Sequence, residues 1–358
     1  MNADLRPSDG LVLLLLSATL AVMLSSCHAQ TNARETRGKL SPIESPTTTG
    51  KGEPQKPQQQ ISQVVRMMYQ DSRGDYWFGT QNGAFRVAND SLELIADIRS
   101  ETGESVTVKD IVEDPSGKIW IGHTDGVSSV EGDAVTNYYA SHGLVDNDVW
   151  CIEADAKGNI WIGTIAGVSV FDGVKFVDFE LPEGELDTTL GVSSTKMVHQ
   201  IFEDSRGQLW FSTNAGLFSL ADEELVHVSA QVGIKTNFIN QVYESRTGEV
   251  FISTKEALYR LDGDNLENIT VDIADIGKGI GAIEQDTEGR LWFVVNQHFL
   301  YTYDGESTTE YQKPADQSGP VIFQIYEDQS QRLWFVGYGG AFRLRDGEFV
   351  NVTRMGPW

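Results

Sequence analysis

A chain of 358 residues with 52 acidic against 27 basic side chains carries a net charge of −25, which argues against nucleic acid and against direct adhesion to an anionic membrane as partners. Six histidines are scattered with no pair at metal-ligand spacing, and no G-x-S-x-G, Walker or dinucleotide fingerprint is present. No catalytic residue, metal site or cofactor is therefore predicted.

In chain order the first element is LVLLLLSATLAVMLSSC, ending at Cys27. Its apolar run of 14 residues is too short for a stable membrane helix and fits the core of a secretory signal. Leu24-Ser25-Ser26-Cys27 resembles the bacterial lipobox, which implies removal of residues 1–26 and lipidation of Cys27. The leader departs from the usual positive excess, with Arg6 set against Asp4 and Asp9, and cleavage after Ala29 is the alternative. His28 rather than Asp after Cys27 favours the outer membrane facing the periplasm. Residues 27–60 then form a lipidated cysteine and a tether rich in Pro, Thr, Ser, Gln and Lys, with too few large apolar side chains to order itself. Once Cys27 is modified, Cys151 has no disulfide partner and reads as a buried, inert thiol. Residues 1–26 carry −1 and 28–60 carry +2, so −26 falls on the remainder.

From residue 61 onward one pattern recurs. DSRGDYWFGTQNG from Asp71 returns as DPSGKIWIGHTDG from Asp114, DAKGNIWIGTIAG from Asp155, DSRGQLWFSTNAG from Asp204, SRTGEVFISTKEA from Ser245, DTEGRLWFVVNQH from Asp286 and DQSQRLWFVGYGG from Asp328. The aromatic column Trp77, Trp120, Trp161, Trp210, Phe251, Trp292, Trp334 has spacings of 43, 41, 49, 41, 41 and 42. A β-branched and aromatic run precedes each copy, and two further strands follow it, giving four strands per period. Asp-x-x-Gly reads as a hairpin turn, Asp capping its own turn and Gly74, Gly117, Gly158, Gly207, Gly248 and Gly289 taking the left-handed place that Gln331 fills in the seventh copy. His123 stands where other copies have Thr80, Thr164, Thr213 and Thr254, so it reads as scaffold rather than catalyst. Seven small sheets that cannot bury a face alone stack radially, so 61–358 is predicted to be all-β, a seven-bladed propeller with four antiparallel strands per blade. The aromatic column fills the wedges between sheets, each ring worth roughly 3–5 kcal/mol on truncation. The phase of the repeat predicts closure by packing of blade seven on blade one, without an exchanged strand.

The run VDNDVWCIEADAKGNIWIGTIAGVSVFDG, 145–173, resembles the two-component-regulator propeller repeat of periplasmic sensor regions in bacterial hybrid histidine kinases. The resemblance covers the whole folded part and implies sensing or ligand binding. Few residues follow the last repeat, so phosphotransfer is not carried over. The LWF-containing repeats also resemble those of streptogramin lyases, and the Asp-to-Trp rhythm is similar to sialidase Asp-boxes, whose Asp-to-Gly spacing is shorter.

If the strand ahead of the Asp turn is innermost, as likeness to WD-repeat blades implies, its start shares a face with the longest connection, 181–196. Five residues before the Asp (Ser245 in the fifth copy) stand Arg66, Lys109, Trp150, His199, Asn240, Gly281 and Phe323, a mixture of aromatic and hydrogen-bonding residues suited to a glycan or polar peptide. The expected function is an envelope-tethered, non-enzymatic module that recognises a glycan, peptide or envelope protein. The alternative is a propeller enzyme of the lyase or glycosidase type, for which His199 would converge with Glu183 or Glu185 on a divalent ion. A third is a structural protein working through its rim.

Overall fold

The structure is a computed structural model that describes residues 60–186, 194–312, 321–354 and 356; the leader, Cys27 and the tether up to residue 59 lie outside the described residues. Seven four-stranded antiparallel sheets follow one another, each built from consecutive strands: blades 1 to 7 cover 65–94, 108–138, 149–179, 198–227, 239–268, 280–310 and 321–351. The first strand of each blade packs beside that of the next, and the first strand of blade 7, Val321–Glu327, packs against that of blade 1, Val65–Gln70, so the ring closes with first strands innermost. No described helix is long and apolar enough to cross a membrane.

Alternation explains why these sheets stack. In the first strands of blades 1 to 6, positions one and four (Val108 and Ile111 in blade 2) are buried, while the second strands of these blades, such as Ile119–His123, are buried throughout because both of their faces meet a neighbouring blade. Seven apolar clusters result, each pairing one blade's large aromatic with the next blade's inner strands. Trp77 joins Val108 and Ile111; Trp120 joins Val149 and Ile152; Trp334 joins Val65 and Met68 across the closure. All seven aromatics of the column are buried.

Each Asp does two jobs. Asp71 Oδ1 accepts the amides of Arg73 (3.0 Å) and Asp75 (2.9 Å), and its Oδ2 accepts Nε1–H of Trp77 (3.0 Å). The indole bond recurs in blades 2, 3, 4, 6 and 7 at 2.7–3.1 Å. Blade 5 changes both partners: Phe251 has no N–H to donate, and Ser245 takes over only the turn, its Oγ accepting Glu249 N at 3.0 Å. Gln331 adopts φ +63°, the left-handed conformation its glycine counterparts take, as the repeat predicted.

A second tie joins neighbours. The residue after the Asp donates its amide to the last residue of the next blade's first strand: Ser72 to Glu113 (2.7 Å), Ala156 to Glu203 (2.7 Å), Ser205 to Glu244 (2.7 Å), Arg246 to Gln285 (2.9 Å), Thr287 to Glu327 (2.8 Å) and Gln329 to Gln70 (2.8 Å). Where it fails, both sides fail together: the donor place in blade 2 is Pro115, which has no N–H, and the acceptor place in blade 3 is Ala154.

Among the described residues no strand is shared between the sheets of blades 7 and 1, but isolated bridges join Gln60 to Arg354 and Val64 to Tyr338; residues 50–59, where an exchanged strand would fall, lie outside the described residues. Ile61 N donates to Thr353 O at 3.0 Å and Gly339 N to Gln63 O at 2.9 Å, so backbone outside the first sheet clips the seam.

Candidate functional site

Antiparallel pairing puts the start of each first strand, the turn after the second and the connection into the next blade on one face. The predicted collar residues occupy a common feature there. Register slips by one residue at Arg66, Lys109, Trp150, His199, Asn240 and Phe323, so each is the extra residue of a β-bulge. In blade 6 the irregularity is wider, between Gly281 and Glu284, with Ala282 at φ +52°.

These bulges reach round the ring. Lys109 pairs with Asp148 and sits over the Trp150 ring with Nζ 3.8 Å from its centroid, while Trp150 Nε1–H donates to Asp148 Oδ2 at 3.3 Å. The Arg66 guanidinium lies 5.6 Å from the Phe323 centroid, and Tyr338 meets Phe323 edge-on at 4.9 Å. Asn240 Nδ2 donates to Ile280 O at 2.7 Å. The aromatic platforms read from the sequence are therefore each covered on one side by a cation from a neighbouring blade, a pairing that spacing within one repeat does not reveal.

His199 differs. Its Nδ1 lies 2.6 Å from Ile239 O, so that nitrogen carries the proton, and Nε2 keeps a lone pair that is buried and has no partner. Burial holds the imidazole below its ordinary pKa, opposed by the carbonyl bond, and the ring is neutral. Phe238 packs against it with ring centroids 4.5 Å apart and the planes tilted by 44°. Four buried side-chain atoms lack a hydrogen-bond partner among the described residues: His199 Nε2, Ser212 Oγ, Asn214 Oδ1 and Arg343 Nε. Three of the four lie at one end of blade 4, since the His199 bulge falls opposite Ser212 and Thr213, and Asn214 follows in the turn. Buried polar groups are rarely left unpaired, so this concentration marks the place.

Two cavities flank the stems of the 181–196 connection there. One of about 300 Å³ is lined by Val168, Phe179, Leu181, Glu183, Lys196 and Asn214; the other, of about 260 Å³, by Glu185, Asn214, Lys235, Thr236, Phe238 and Glu256, among others. The convergence required of an enzyme is not formed: Glu183 is engaged by Thr195 (3.0 Å) and Lys196 (3.3 Å), and neither Glu183 nor Glu185 hydrogen-bonds His199. Among the described residues no group of three His, Cys, Asp or Glu side chains is placed to hold a metal ion.

Other singled-out residues are structural. Asp125 N donates to His123 Nδ1 (3.2 Å), leaving Nε2–H for Ser128 Oγ (3.0 Å); burial lowers the pKa to about 3, and the ring replaces the threonine of other turns. Cys151 is a buried free thiol whose pKa burial pushes up. The inner wall holds three carboxyls shifted upward chiefly by burial: Asp110 to about 7, Glu153 to about 8 and Glu284 to about 7. They serve as ring ties: Asp110 Oδ2 accepts Ile152 N of the next blade at 2.9 Å, and Glu153 Oε1 accepts Glu203 N at 3.2 Å.

Comparison with known proteins agrees with this architecture. The family model described as two component regulator propeller matches residues 59–82, 143–166 and 191–215, so three of the seven repeats are of that type. No curated relative matches the sequence. The chain is similar in fold to the extracellular domain of a putative one component system from B. thetaiotaomicron, at 18% identity and TM-score 0.63, covering 78% of this chain and 38% of that one. A putative hybrid two component system of the same organism gives 18% identity and TM-score 0.61, covering 78% and 39%. Virginiamycin B lyase from Staphylococcus aureus gives 12% identity and TM-score 0.61, covering 79% and 95%. The chain thus spans under half the length of the two sensor-region structures, and at these identities the likeness is one of fold.

Proposed function

We propose that this chain, which carries two-component-regulator propeller repeats, is a non-enzymatic binding module of the bacterial envelope, held to the outer membrane through Cys27 and the tether 27–60. It takes a glycan, peptide or envelope protein on the loop-rich face of the ring at blade 4. One observation supports the reading: three of the four orphaned buried polar atoms among the described residues gather there, beside two cavities and the stems of the longest connection between blades. Elsewhere among the described residues Arg343 Nε in blade 7 is the one other such atom, and a rigid scaffold whose unsatisfied groups gather at one end suits a binding site. The formal charge of −26 on residues 61–358 favours solubility and repels anionic lipid. The test replaces Trp150 and His199 by alanine together and measures binding of glycan and peptide panels by calorimetry. At least a tenfold loss for whichever ligand the parent binds supports the collar as part of the site; unchanged affinity removes it.

A further inference from the structure

Five of the six indoles in the aromatic column are covered by a cation, by other rings or by both. Arg86 lies 5.5 Å from the Trp77 centroid, Lys118 5.9 Å from that of Trp120, and Arg290 5.5 Å from that of Trp292. Trp334 has Arg332 at 5.9 Å and Arg343 at 5.4 Å, while Trp161 meets Phe179 and Phe211 at 5.2 and 5.6 Å. Trp210 departs from the pattern. It packs on aliphatic side chains such as Val242 and Val250, and among the described residues no ring and no cation contacts its indole.

The cause is written in the repeat. The covering cations come from two places: two residues ahead of the Trp, as in Lys118, Arg290 and Arg332, and directly across the hairpin from it, as in Arg86 and Arg343. Blade 4 has Gln208 in the first place and Ser219 in the second, so one is neutral and the other is both neutral and short. From the facing blade, Trp210 meets Val250, the first residue of a second strand, where the other blades have Tyr, Ile or Leu. A cavity of about 500 Å³ opens here, lined by Arg206, Gln208 and Trp210 of blade 4 and by Val250, Arg260 and Asp262 of blade 5, among others. It lies at the hairpin-turn end of the blades, away from the loop-rich face, and its volume falls in the range of about 300–1,000 Å³ usual for small-molecule sites.

Charge selects what enters. Asp204 holds Arg206 at 3.1 Å, and Glu267 and Glu249 hold Arg260 at 2.6 and 3.4 Å, so neither guanidinium is an unmatched positive charge. Asp262 is exposed and has no ion-pair partner among the described residues. Two cations against the four carboxylates Asp204, Glu249, Asp262 and Glu267 leave −2 around the cavity. An anion is repelled there, whereas a cation gains both that field and the attraction of an indole within about 6 Å of its centroid. Arg206 does not take that place: its counterpart Arg73 makes the same bond to Asp71, at 3.0 Å, while Arg86 covers Trp77.

We propose that this cavity binds an organic cation, an ammonium or guanidinium group on a short aliphatic stem, with the charged head beside Trp210 and Asp262 and the stem along Val250. The ligand supplies in blade 4 what arginine or lysine supplies in blades 1, 2, 6 and 7. The site is separate from the loop-rich face, so its loss would leave the binding role proposed above untouched.

The probes are butylguanidinium and butylammonium, with the neutral isostere butylurea as control, and a capped Gly-Arg-Gly peptide against its citrulline counterpart, all at millimolar concentration. The eight tryptophans are labelled as 5-fluorotryptophan, and Trp210→Phe assigns the fluorine resonance of Trp210. Titration with either cation is expected to move that resonance and leave the others in place, with butylurea at least tenfold weaker than butylguanidinium. Gln208→Arg installs in blade 4 the cover that Arg290 and Arg332 give in blades 6 and 7; it should weaken binding at least tenfold and leave the melting temperature no lower. Should Trp210→Phe fail to fold, the resonance moved by Gln208→Arg supplies the assignment. Tighter binding of the arginine peptide than of butylguanidinium would uphold the site with a basic segment of a partner as its source, and the reverse order would uphold it with a free amine or guanidine. Equal affinity for butylurea, shifts spread over several tryptophans, full binding by Gln208→Arg, or no shift with any probe would each overturn the assignment.

Discussion

Pairing of the turn carboxylate with the buried indole predicts strong coupling between two positions six residues apart. In blade 4, Asp204 accepts Trp210 Nε1–H at 3.1 Å through Oδ2, while Oδ1 holds the amides of Arg206 and Gln208 at 3.0 Å each; the carboxylate is fully shielded and Trp210 is 4% exposed. Asp204→Ser leaves the indole N–H buried and unpaired, at about 1–3 kcal/mol, although serine still caps the turn as Ser245 does in blade 5. Trp210→Phe removes a donor from a buried carboxylate, at about 1.5–3 kcal/mol for a charged acceptor, plus the contacts of the lost ring atoms. The double substitution recreates the Ser–Phe pair of blade 5 and leaves no orphan, so its cost should fall short of the sum of the singles by about 1.5–3 kcal/mol. At roughly 2 °C per kcal/mol for a domain of this size, that is a shortfall of about 3–6 °C in a thermal double-mutant cycle. Additivity within about 0.5 kcal/mol would refute the claim that Asp and Trp are one unit, and with it the assignment of the repeated carboxylates to architecture.

Two further outcomes follow from the ties between blades. Pro115→Ser with Ala154→Glu should install in blades 2 and 3 the bond that Ser72 makes to Glu113 in blades 1 and 2; the double variant is expected to melt above the level set by the two singles, by about 1 kcal/mol of coupling in a thermal cycle. Burial raises the Glu153 carboxyl from 4.5 to about 8, with Asp110, Glu203 and Asp155 adding repulsion. A folded-state pKa above the unfolded one means stability that is complete below about pH 4.5 and is lost as pH rises through about 8, on the order of 1.4 kcal/mol per unit of separation. Glu153→Gln keeps the acceptor for Glu203 N and should flatten the fall in melting temperature between pH 5 and pH 9; an unchanged slope would place that pH dependence elsewhere.

The fold was legible because a repeat states its rules seven times. The turn glycines, the aromatic column and the count of sheets all follow from spacing alone, and even Gln331 takes the place its six counterparts assign it. The hydrogen-bonding partners were written less openly, but they were present in this one chain. Ser245 departs from Asp only where Phe251 departs from Trp, and Ala154 loses an acceptor only where Pro115 has lost the donor. Such paired departures inside a repeat are evidence of contact without any second sequence. What could not be read was the third dimension of the collar. Lys109 over Trp150 and Arg66 over Phe323 join residues some 40 or 257 positions apart, and one-residue bulges set their directions. The orphaned Asn214 oxygen had no signal in the sequence, since it depends on which atoms the loop stems engage.

The same comparison of copies separates scaffold from site. A departure from the repeat that is answered by a second departure leaves every polar group paired, as at Ser245 with Phe251 or at His123, whose two nitrogens replace what a threonine hydroxyl does in other turns. Such changes cost the fold little and call for no ligand. A departure that is not answered leaves a free-energy cost in the fold: the His199 lone pair, the Asn214 oxygen and the Ser212 hydroxyl are buried at blade 4 with no partner among the described residues. Random drift would scatter such lapses over seven sheets. The gathering of three of the four found among the described residues at one end of one blade, beside the stems of the connection that lengthens the repeat to 49 residues, is what a ligand that supplies the missing partners would leave behind.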